Sequence, residues 1–167
     1  MQPLQRRTGL KYGAGDDAMI CQSSPVGPLG VNAAGGAITE LVWGYAGNLT
    51  KGPLYAQICD EMAAYFAGDL KVFQTPVAPN GSPFQQKFYA ALSAIPYGET
   101  RTYGDLAQDL GVSAQAIGQA CGANPIAIMI PCHRVLAANG LGGYSGMGGI
   151  EAKVALLKLE SAAGLLI

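Results

Sequence analysis

The residues with the clearest chemical potential are Cys132 and His133, which are adjacent in the pentapeptide Pro131-Cys132-His133-Arg134-Val135. A thiol is a weak nucleophile until it loses its proton, and a neighbouring imidazole can take that proton. His133 is the only histidine among the 167 residues of the chain. The pair therefore indicates nucleophilic chemistry at sulfur, although a Cys-His pair in a random sequence is more often a structural cysteine beside a surface histidine.

Two short helices are predicted just before this pair, and they would set its position. Thr102 is suited to cap the first helix and Ser113 to cap the second, with a short glycine-containing turn between them. This is the pattern of a helix-turn-helix, although an ordinary pair of packed helices produces it as well. The apolar run at 126–130 then leads to Cys132.

The first half of the chain predicts a small sheet covered by one helix. Short apolar runs separated by glycine and proline turns at residues 18–45 are typical of an antiparallel meander. Residues 53–66 carry apolar side chains at helical spacing, with proline at the first position. Three prolines and an Asn-Gly pair fall within 74–83, and Ser82 then begins a helix with a capping-box pattern.

We therefore expect an α/β (α+β) fold, with a small N-terminal antiparallel sheet and helix followed by a mainly helical domain that contains the helix-turn-helix and the active-site cysteine. The predicted divisions are a flexible N-terminal arm at 1–17, a sheet-and-helix domain at 18–73, a linker at 74–83 and a C-terminal domain at 84–167.

Composition argues against several classes of protein. Half of the residues are hydrophobic and 13% are charged, so the chain can bury a core and is too apolar to be disordered. A formal net charge of -1 argues against a protein that coats nucleic acid through a strongly basic surface. No stretch approaches the roughly 20 apolar residues of a membrane span, and no signal-peptide pattern is present. We expect a cytoplasmic monomer with no membrane partner.

No metal or cofactor is expected either. The four cysteines form no CxxC pair and only one histidine is available, whereas structural zinc sites use paired Cys and His ligands.

Taken together, the motifs resemble the active-site region of the O6-alkylguanine-DNA alkyltransferases. The block Pro131-Cys132-His133-Arg134-Val135 is preceded by GANP and followed by GYSG, and the earlier strings FQQK, PYGET and TYGDLA resemble the start of the same domain. The string SPVGPLG near residue 24 resembles the first hairpin of the smaller domain of that family. The resemblance runs in order from about residue 18 to residue 160.

The resemblance implies a single-use DNA repair protein. Cys132 would take the alkyl group from O6 of guanine, and possible substrates include O4-alkylthymine. His133 would act as its base, Glu160 would polarise His133 through a water, and Asn124 would brace the turn before the cysteine. Because a thioether has no easy leaving group, one molecule would repair one lesion and be consumed.

The resemblance also implies how the substrate is held. Tyr103 would rotate the phosphate of the target nucleotide and donate its hydroxyl to the guanine, while the base pocket would include Tyr144, Ser145 and Val135. The target base must leave the helix, since its alkyl carbon is out of reach inside stacked DNA. The helix-turn-helix would enter the minor groove of double-stranded DNA, with DNA contacts from Ser113, Ala114, Gln115, Gly118 and Arg134.

One departure from the family pattern concerns DNA binding. Family members commonly carry an arginine that enters the base stack, and the matching position here is Gln115. From Ser82 onward the chain has five basic and five acidic residues. We therefore expect DNA binding that is weaker and less dependent on salt than is usual for the family, with Gln115 hydrogen bonded to the orphaned cytosine.

Three alternatives remain open at this stage. Alkyltransferase-like proteins bind alkylated bases without transfer, but they carry tryptophan where this chain has Cys132. The same cysteine chemistry could act on single strands, free bases or a small alkylating metabolite. A transcription regulator is the weakest alternative, because it has no need of a Cys-His pair in a pocket.

Overall fold

The structure is a computed structural model, and it describes residues 17–21, 24–45, 52–144, 146 and 148–162. The N-terminal part is an antiparallel sheet of β1 (Asp17–Cys21), β2 (Leu29–Ala34) and β3 (Ala37–Trp43), in that order. Gly35 and Gly36 join β2 to β3 with φ of 60° and 79°, which suits the tight hairpin turns that need positive φ at both positions. The predicted meander is therefore confirmed. Of the predicted arm at 1–17, only Asp17 is among the described residues.

Helix α1 (Pro53–Phe66) has the predicted boundaries. Its buried face consists of Ile58, Met62 and Tyr65, which are spaced at helical intervals, and the helix lies against the sheet. This face brings Tyr65 to the centre of the molecule, where its exposed fraction is 0%.

The predicted linker at 74–83 is held against the sheet and α1. The Ala78 N–H donates to the carbonyl of Ile38 at 2.8 Å, and the Thr75 hydroxyl donates to the Glu61 carboxylate at 2.8 Å. One continuous hydrophobic core includes side chains from both sides of this segment. The division into two domains stays a prediction.

Helix α2 (Pro83–Ser93) begins as the sequence predicts. The Ser82 hydroxyl accepts from the Gln85 N–H at 3.2 Å, and the Gln85 side chain accepts from the Ser82 N–H at 2.8 Å. This reciprocal capping box satisfies two backbone donors that the first helical turn would otherwise leave without partners.

Helices α3 (Tyr103–Leu110) and α4 (Ala114–Gly122) pack against each other and are joined by a three-residue turn. Thr102 caps α3 and Ser113 caps α4, as predicted. Gly111 ends α3 with a φ of 67°, a left-handed conformation that favours glycine. The sequence therefore predicts both helices and the turn that fixes their angle.

A parallel pair of very short strands, β4 (Arg101–Thr102) and β5 (Val135–Leu136), was not predicted. It joins the start of α3 to the segment after the Cys-His pair. A 3-10 turn at Cys132–Arg134 precedes β5, and α5 (Gly149–Leu159) completes the fold. None of the helices in the described ranges is long and apolar enough to cross a membrane.

Candidate active site

The segment that delivers Cys132 is made of tight turns. Ile128 has a φ of 73°, which is rare and strained for a β-branched residue. The Met129 N–H donates to the carbonyl of Ala127 at 2.9 Å, which closes a tight turn around Ile128. Pro131 has φ of -84° and ψ of 67°, and the Cys132 N–H bonds back to the carbonyl of Ile130 at 2.9 Å. These two turns bring a buried apolar run to an abrupt end at the thiol.

Asn124 braces this segment through both ends of its side-chain amide. Its Oδ1 accepts from the Ile126 N–H at 3.1 Å, and its Nδ2 donates to the carbonyl of Ile130 at 2.8 Å. The same side chain hydrogen bonds to the Cys132 sulfur and favours its ionised form. Asn124 thus fixes the backbone on either side of the strained Ile128 and also reaches the thiol.

Cys132 lies in the wall of a cavity of about 500 Å³. The cavity combines residues from the α3–α4 pair with residues of the loop before α5. Those that line it are Tyr103, Ala114, Gly118, Cys121, Gly122, Cys132, Gly143 and Tyr144. Five residues proposed from the sequence therefore meet at one cavity, including the cysteine and both tyrosines. Ser145 lies outside the described residues.

His133 and Glu160 form a buried hydrogen-bonded pair. Their Nε2 and Oε1 atoms are 2.8 Å apart, and neither side chain is exposed to solvent. The contact is direct, so the expectation that a water separates these two residues is wrong. Although burial opposes its ionisation, hydrogen bonds from His133 and Arg134 lower the pKa of Glu160 to about 2. An ionised Glu160 only accepts, so Nε2 carries the proton and Nδ1 is the acceptor.

The Nδ1 atom of His133 is buried and has no hydrogen-bond partner within the described part of the chain. Burial lowers the pKa of His133, because a buried imidazolium loses its hydration, and the neighbouring Glu160 opposes this effect only in part. The resting imidazole is therefore neutral, with its basic nitrogen available.

Arg134 does not face DNA, which corrects the expectation from the sequence. Its Nε and Nη2 atoms donate to the two carboxylate oxygens of Glu160, each at 2.9 Å, and its Nη1 donates to the carbonyl of Ile95 at 2.7 Å. Only 7% of the residue is exposed. Its guanidinium is occupied in neutralising a buried carboxylate, the geometry for which arginine is best suited.

Val135 is also misplaced by the sequence prediction. It lies in β5 with its side chain fully buried, and it is not among the residues that line the cavity. Its backbone carbonyl instead accepts a hydrogen bond from Lys153 at 2.6 Å.

Lys153 is a site residue that sequence reasoning missed. Its ammonium is buried and donates to the backbone carbonyls of Val135 and Gly143, and to that of Leu141 between them. It thereby ties the loop that forms one wall of the cavity to α5. The available signal was its position on the buried face of α5, next to Ala152 and one turn before Leu156. A lysine at such a position is buried only when it has partners.

The Cys132 thiol is protonated at rest. Burial raises its pKa, although the Asn124 hydrogen bond and the charge of Lys153 both oppose that rise. Cys121, the second thiol in the cavity wall, has its pKa raised by burial to about 12. Neither sulfur is a nucleophile until a base removes its proton.

The outer face of α4 is open to solvent. The residues proposed to contact DNA from this helix and its cap are all exposed, namely Ser113, Ala114, Gln115 and Gly118. In the described ranges, no cluster of three or more His, Cys, Asp or Glu side chains could hold a metal ion.

Comparison with known proteins agrees with this architecture. Residues 83–162 match the family described as 6-O-methylguanine DNA methyltransferase, DNA binding domain. The chain is 52% identical over 103 residues to the methylated-DNA–protein-cysteine methyltransferase of Methanosarcina acetivorans, a match that covers 60% of this chain and 65% of that protein. The protein of the same name from Mycobacterium tuberculosis is 44% identical over 147 residues, which cover 82% of this chain and 88% of the relative.

Solved structures agree. The crystal structure of Mycobacterium tuberculosis OGT in complex with DNA matches with a TM-score of 0.75 and 42% identity, over 86% of this chain and 92% of that one. A structure of an O6-methylguanine-DNA methyltransferase from the archaeon Pyrococcus kodakaraensis matches with a TM-score of 0.54 and 27% identity, over 83% of this chain and 92% of that one. This chain belongs to the family of methylated-DNA–protein-cysteine methyltransferases, the O6-alkylguanine-DNA alkyltransferases.

Proposed function

We propose that this protein repairs DNA by moving an alkyl group from O6 of a guanine to the sulfur of Cys132. The thiolate attacks the alkyl carbon, the carbon–O6 bond breaks with its electron pair going to the guanine, and a thioether forms. Because no step removes the thioether, each molecule acts once. The observation that carries the proposal is the position of Cys132 in the cavity wall, next in the chain to the buried His133–Glu160 pair.

His133 supplies the base for this reaction. Its Nδ1 has no protein partner among the described residues, and a single water between Nδ1 and the Cys132 sulfur would carry the proton from thiol to imidazole. Glu160 stabilises the imidazolium that forms, because its carboxylate accepts a hydrogen bond from the Nε2–H group, with 2.8 Å between Nε2 and Oε1. At neutral pH the thiol becomes nucleophilic only when this proton relay, from Cys132 through the water to His133 and supported by Glu160, is intact.

Two tyrosines that line the cavity, Tyr103 and Tyr144, would hold the guanine. Burial raises the pKa of Tyr103, so its hydroxyl keeps its proton and can donate to the guanine as the O6 bond breaks. The Tyr144 hydroxyl is buried with no partner in the described ranges, and its ring packs edge-on against Trp43 at 6.1 Å between centroids. Ser145 is proposed beside them on the family pattern alone.

Helix α4 is proposed to enter the minor groove of double-stranded DNA. Ala114 and Gly118 lie on its exposed face and also line the cavity, so a minor groove bound by this helix would meet the cavity there. Small side chains there allow a close approach of the backbone. Gln115 would occupy the space left by the flipped guanine and hydrogen bond to the orphaned cytosine.

The competing functions are less well supported. A protein that binds lesions without transfer does not require an acceptor thiol next to a base. Mycobacterium tuberculosis OGT, which this chain resembles, was crystallised in complex with DNA, and this favours DNA over a free base or a small metabolite as the substrate. We further propose that the protein acts as a monomer in the cytoplasm, where thiols stay reduced. Sedimentation of the free and DNA-bound protein would check the monomer.

The test is to incubate the protein with equimolar O6-methylguanine in duplex DNA, in single-stranded DNA or as the free base, and to weigh the intact protein. Duplex DNA should add one methyl group fastest, and Cys132→Ala should add none. Tight binding without mass gain would indicate a lesion-binding protein. Transfer from single strands or free base, but not from duplex, would indicate a different substrate.

A further inference from the structure

One carboxylate oxygen, Oε1 of Glu160, accepts three hydrogen bonds. Two come from His133 and Arg134, which lie in the turn that holds Cys132. The third comes from the hydroxyl of Tyr65 at 2.7 Å, across 95 residues of sequence. We propose that Tyr65 is a positioning residue for alkyl transfer, through which α1 holds the carboxylate that supports the base.

The Tyr65 hydroxyl is a dedicated donor. Burial and the adjacent Glu160 carboxylate raise its pKa far above the ordinary value, so the phenol stays protonated. Its ring is fixed by edge contacts with Phe66 and Tyr97 and a tilted contact with Phe73, with centroids between 5.3 and 6.2 Å apart. A ring held on three sides leaves its hydroxyl little freedom except toward Glu160.

The hydrogen bond from Tyr65 affects proton transfer from Cys132 to His133 through its effect on Glu160. Glu160 is the C-cap residue of α5, and the Arg134 fork binds both of its carboxylate oxygens. Tyr65 donates to the same oxygen that accepts from His133, so it keeps that oxygen directed at Nε2. Without the hydroxyl, the His133–Glu160 bond should lengthen and the imidazolium should be less well stabilised. This inference rests on the proposed function.

The first experiment compares Tyr65→Phe with Tyr97→Phe. Both substitutions remove one hydroxyl and keep a ring of the same cluster, but the Tyr97 hydroxyl donates to the carbonyl of Leu159 at 3.2 Å rather than to the carboxylate. With O6-methylguanine duplex at neutral pH, Tyr65→Phe should transfer about tenfold more slowly. Tyr97→Phe should transfer at the wild-type rate.

The pH profile separates positioning from a merely structural effect. At alkaline pH the thiol ionises without help from His133, so the deficit of Tyr65→Phe should shrink as the pH rises. In a Glu160→Gln background, the Tyr65→Phe change should slow alkyl transfer little further, because the carboxylate through which Tyr65 acts is gone. A deficit that is constant with pH and additive with Glu160→Gln overturns the proposal.

The single histidine allows a second measurement that does not depend on repair activity. In the NMR spectrum of the wild-type protein, the Tyr65 hydroxyl proton should exchange slowly with water and show a nuclear Overhauser effect to the His133 Nε2 proton. The Nε2 proton signal should move in Tyr65→Phe and stay in place in Tyr97→Phe. A missing Overhauser effect, or an unmoved signal, overturns the inference. A wild-type protein that shows these signals but transfers no alkyl group would overturn the proposed function instead.

Discussion

Charge at the site is balanced by a small number of buried contacts. Glu160 stays ionised in the interior because Arg134 and His133 donate to it, and the cavity thiols stay protonated because burial raises their pKa. The proposed alkyl transfer then depends on moving one proton from Cys132 to His133. It does not require a thiol that is already ionised at rest.

Removing Arg134 should destabilise the fold strongly. Arg134→Ala leaves a buried carboxylate that has lost its fork, and we expect the free energy of unfolding to fall by about 3 kcal/mol. Arg101→Ala is the matched control, because Arg101 pairs with Asp109 at 2.7 Å on the surface, where both side chains are largely exposed. Its loss should cost at most about 1 kcal/mol in urea unfolding. Equal losses for the two variants would contradict the buried role of Arg134.

Acid should lower the free energy of unfolding over two separate ranges of pH. Burial holds the pKa of His133 below its ordinary value of 6.5, so below that pH the unfolded chain gains a proton that the folded chain refuses. Stability should therefore begin to fall as the pH drops through that value. Glu160 adds a second loss between its ordinary value of 4.5 and about 2. Urea unfolding at a series of pH values should show both losses, and a flat profile across this range would exclude them.

Single residues differ in how well the sequence predicts them. Cys132 and His133 stand out because they are adjacent in sequence, and Asn124 bonds to Ile126 and Ile130, which are only a few residues away. Arg134 and Lys153 do not stand out, since basic side chains in a sequence suggest solvent or DNA until a buried partner is known. That partner, for Arg134, lies 26 residues further along the chain.

Among the elements, α4 contains glycines that lower its stability as a helix but leave space at the cavity. Gly118 and Gly122 weaken the helix, since glycine has low helix propensity, yet both line the cavity. A Cβ added at either position meets no atom within 4 Å, so nothing in the fold itself requires glycine there. We infer that the DNA and the flipped base require it.

Gly118→Ala should therefore stabilise the protein while it slows repair. Greater helix propensity should raise the free energy of unfolding by about 0.5–1 kcal/mol. The added methyl group lies where the cavity meets the proposed DNA-binding face of α4, so transfer from duplex DNA should slow markedly. Gly111→Ala is the contrasting control, because Gly111 has a φ of 67° and alanine there should destabilise the turn. A Gly118→Ala variant with an unchanged transfer rate would remove α4 from the proposed interface.

Element boundaries were predictable wherever capping residues mark them. Ser82, Thr102 and Ser113 each accept a hydrogen bond from the backbone three residues on, as their positions before helical runs suggest. The β4–β5 pair escaped prediction because two residues per strand carry no periodic signal, and the strands are separated by the whole α3–α4 pair.

At the scale of the whole molecule, few cations remain available for DNA in the C-terminal half. Of its five basic residues, Arg134 and Lys153 are buried and Arg101 is paired with Asp109. Lys87 and Lys158 are exposed. The number of cations available to contact DNA phosphates is therefore smaller than the count of basic residues in the sequence indicates.

DNA binding should accordingly depend weakly on salt. With no more than about three phosphate contacts, the logarithm of affinity should fall with the logarithm of salt concentration with a slope no steeper than about -3. Gln115→Arg should bind duplex more tightly, and Gln119→Arg, which adds the same charge one turn along α4, should gain less. Fluorescence anisotropy across ionic strengths measures both. A steep slope for the wild-type protein would show that other cations contact the phosphates.

We propose that Cys132 is the acceptor, and we expect no other thiol to take the alkyl group. Cys121 lines the same cavity and provides an internal comparison. The most direct measurement is peptide mapping by mass spectrometry after reaction with excess O6-methylguanine duplex. We predict one S-methyl group per molecule, assigned to Cys132 by fragment ions that separate it from Cys121 within their shared tryptic peptide, with none on Cys121 and none at all in Cys132→Ala. Methyl found on Cys121, or repair of several lesions by one unmodified molecule, would contradict the account.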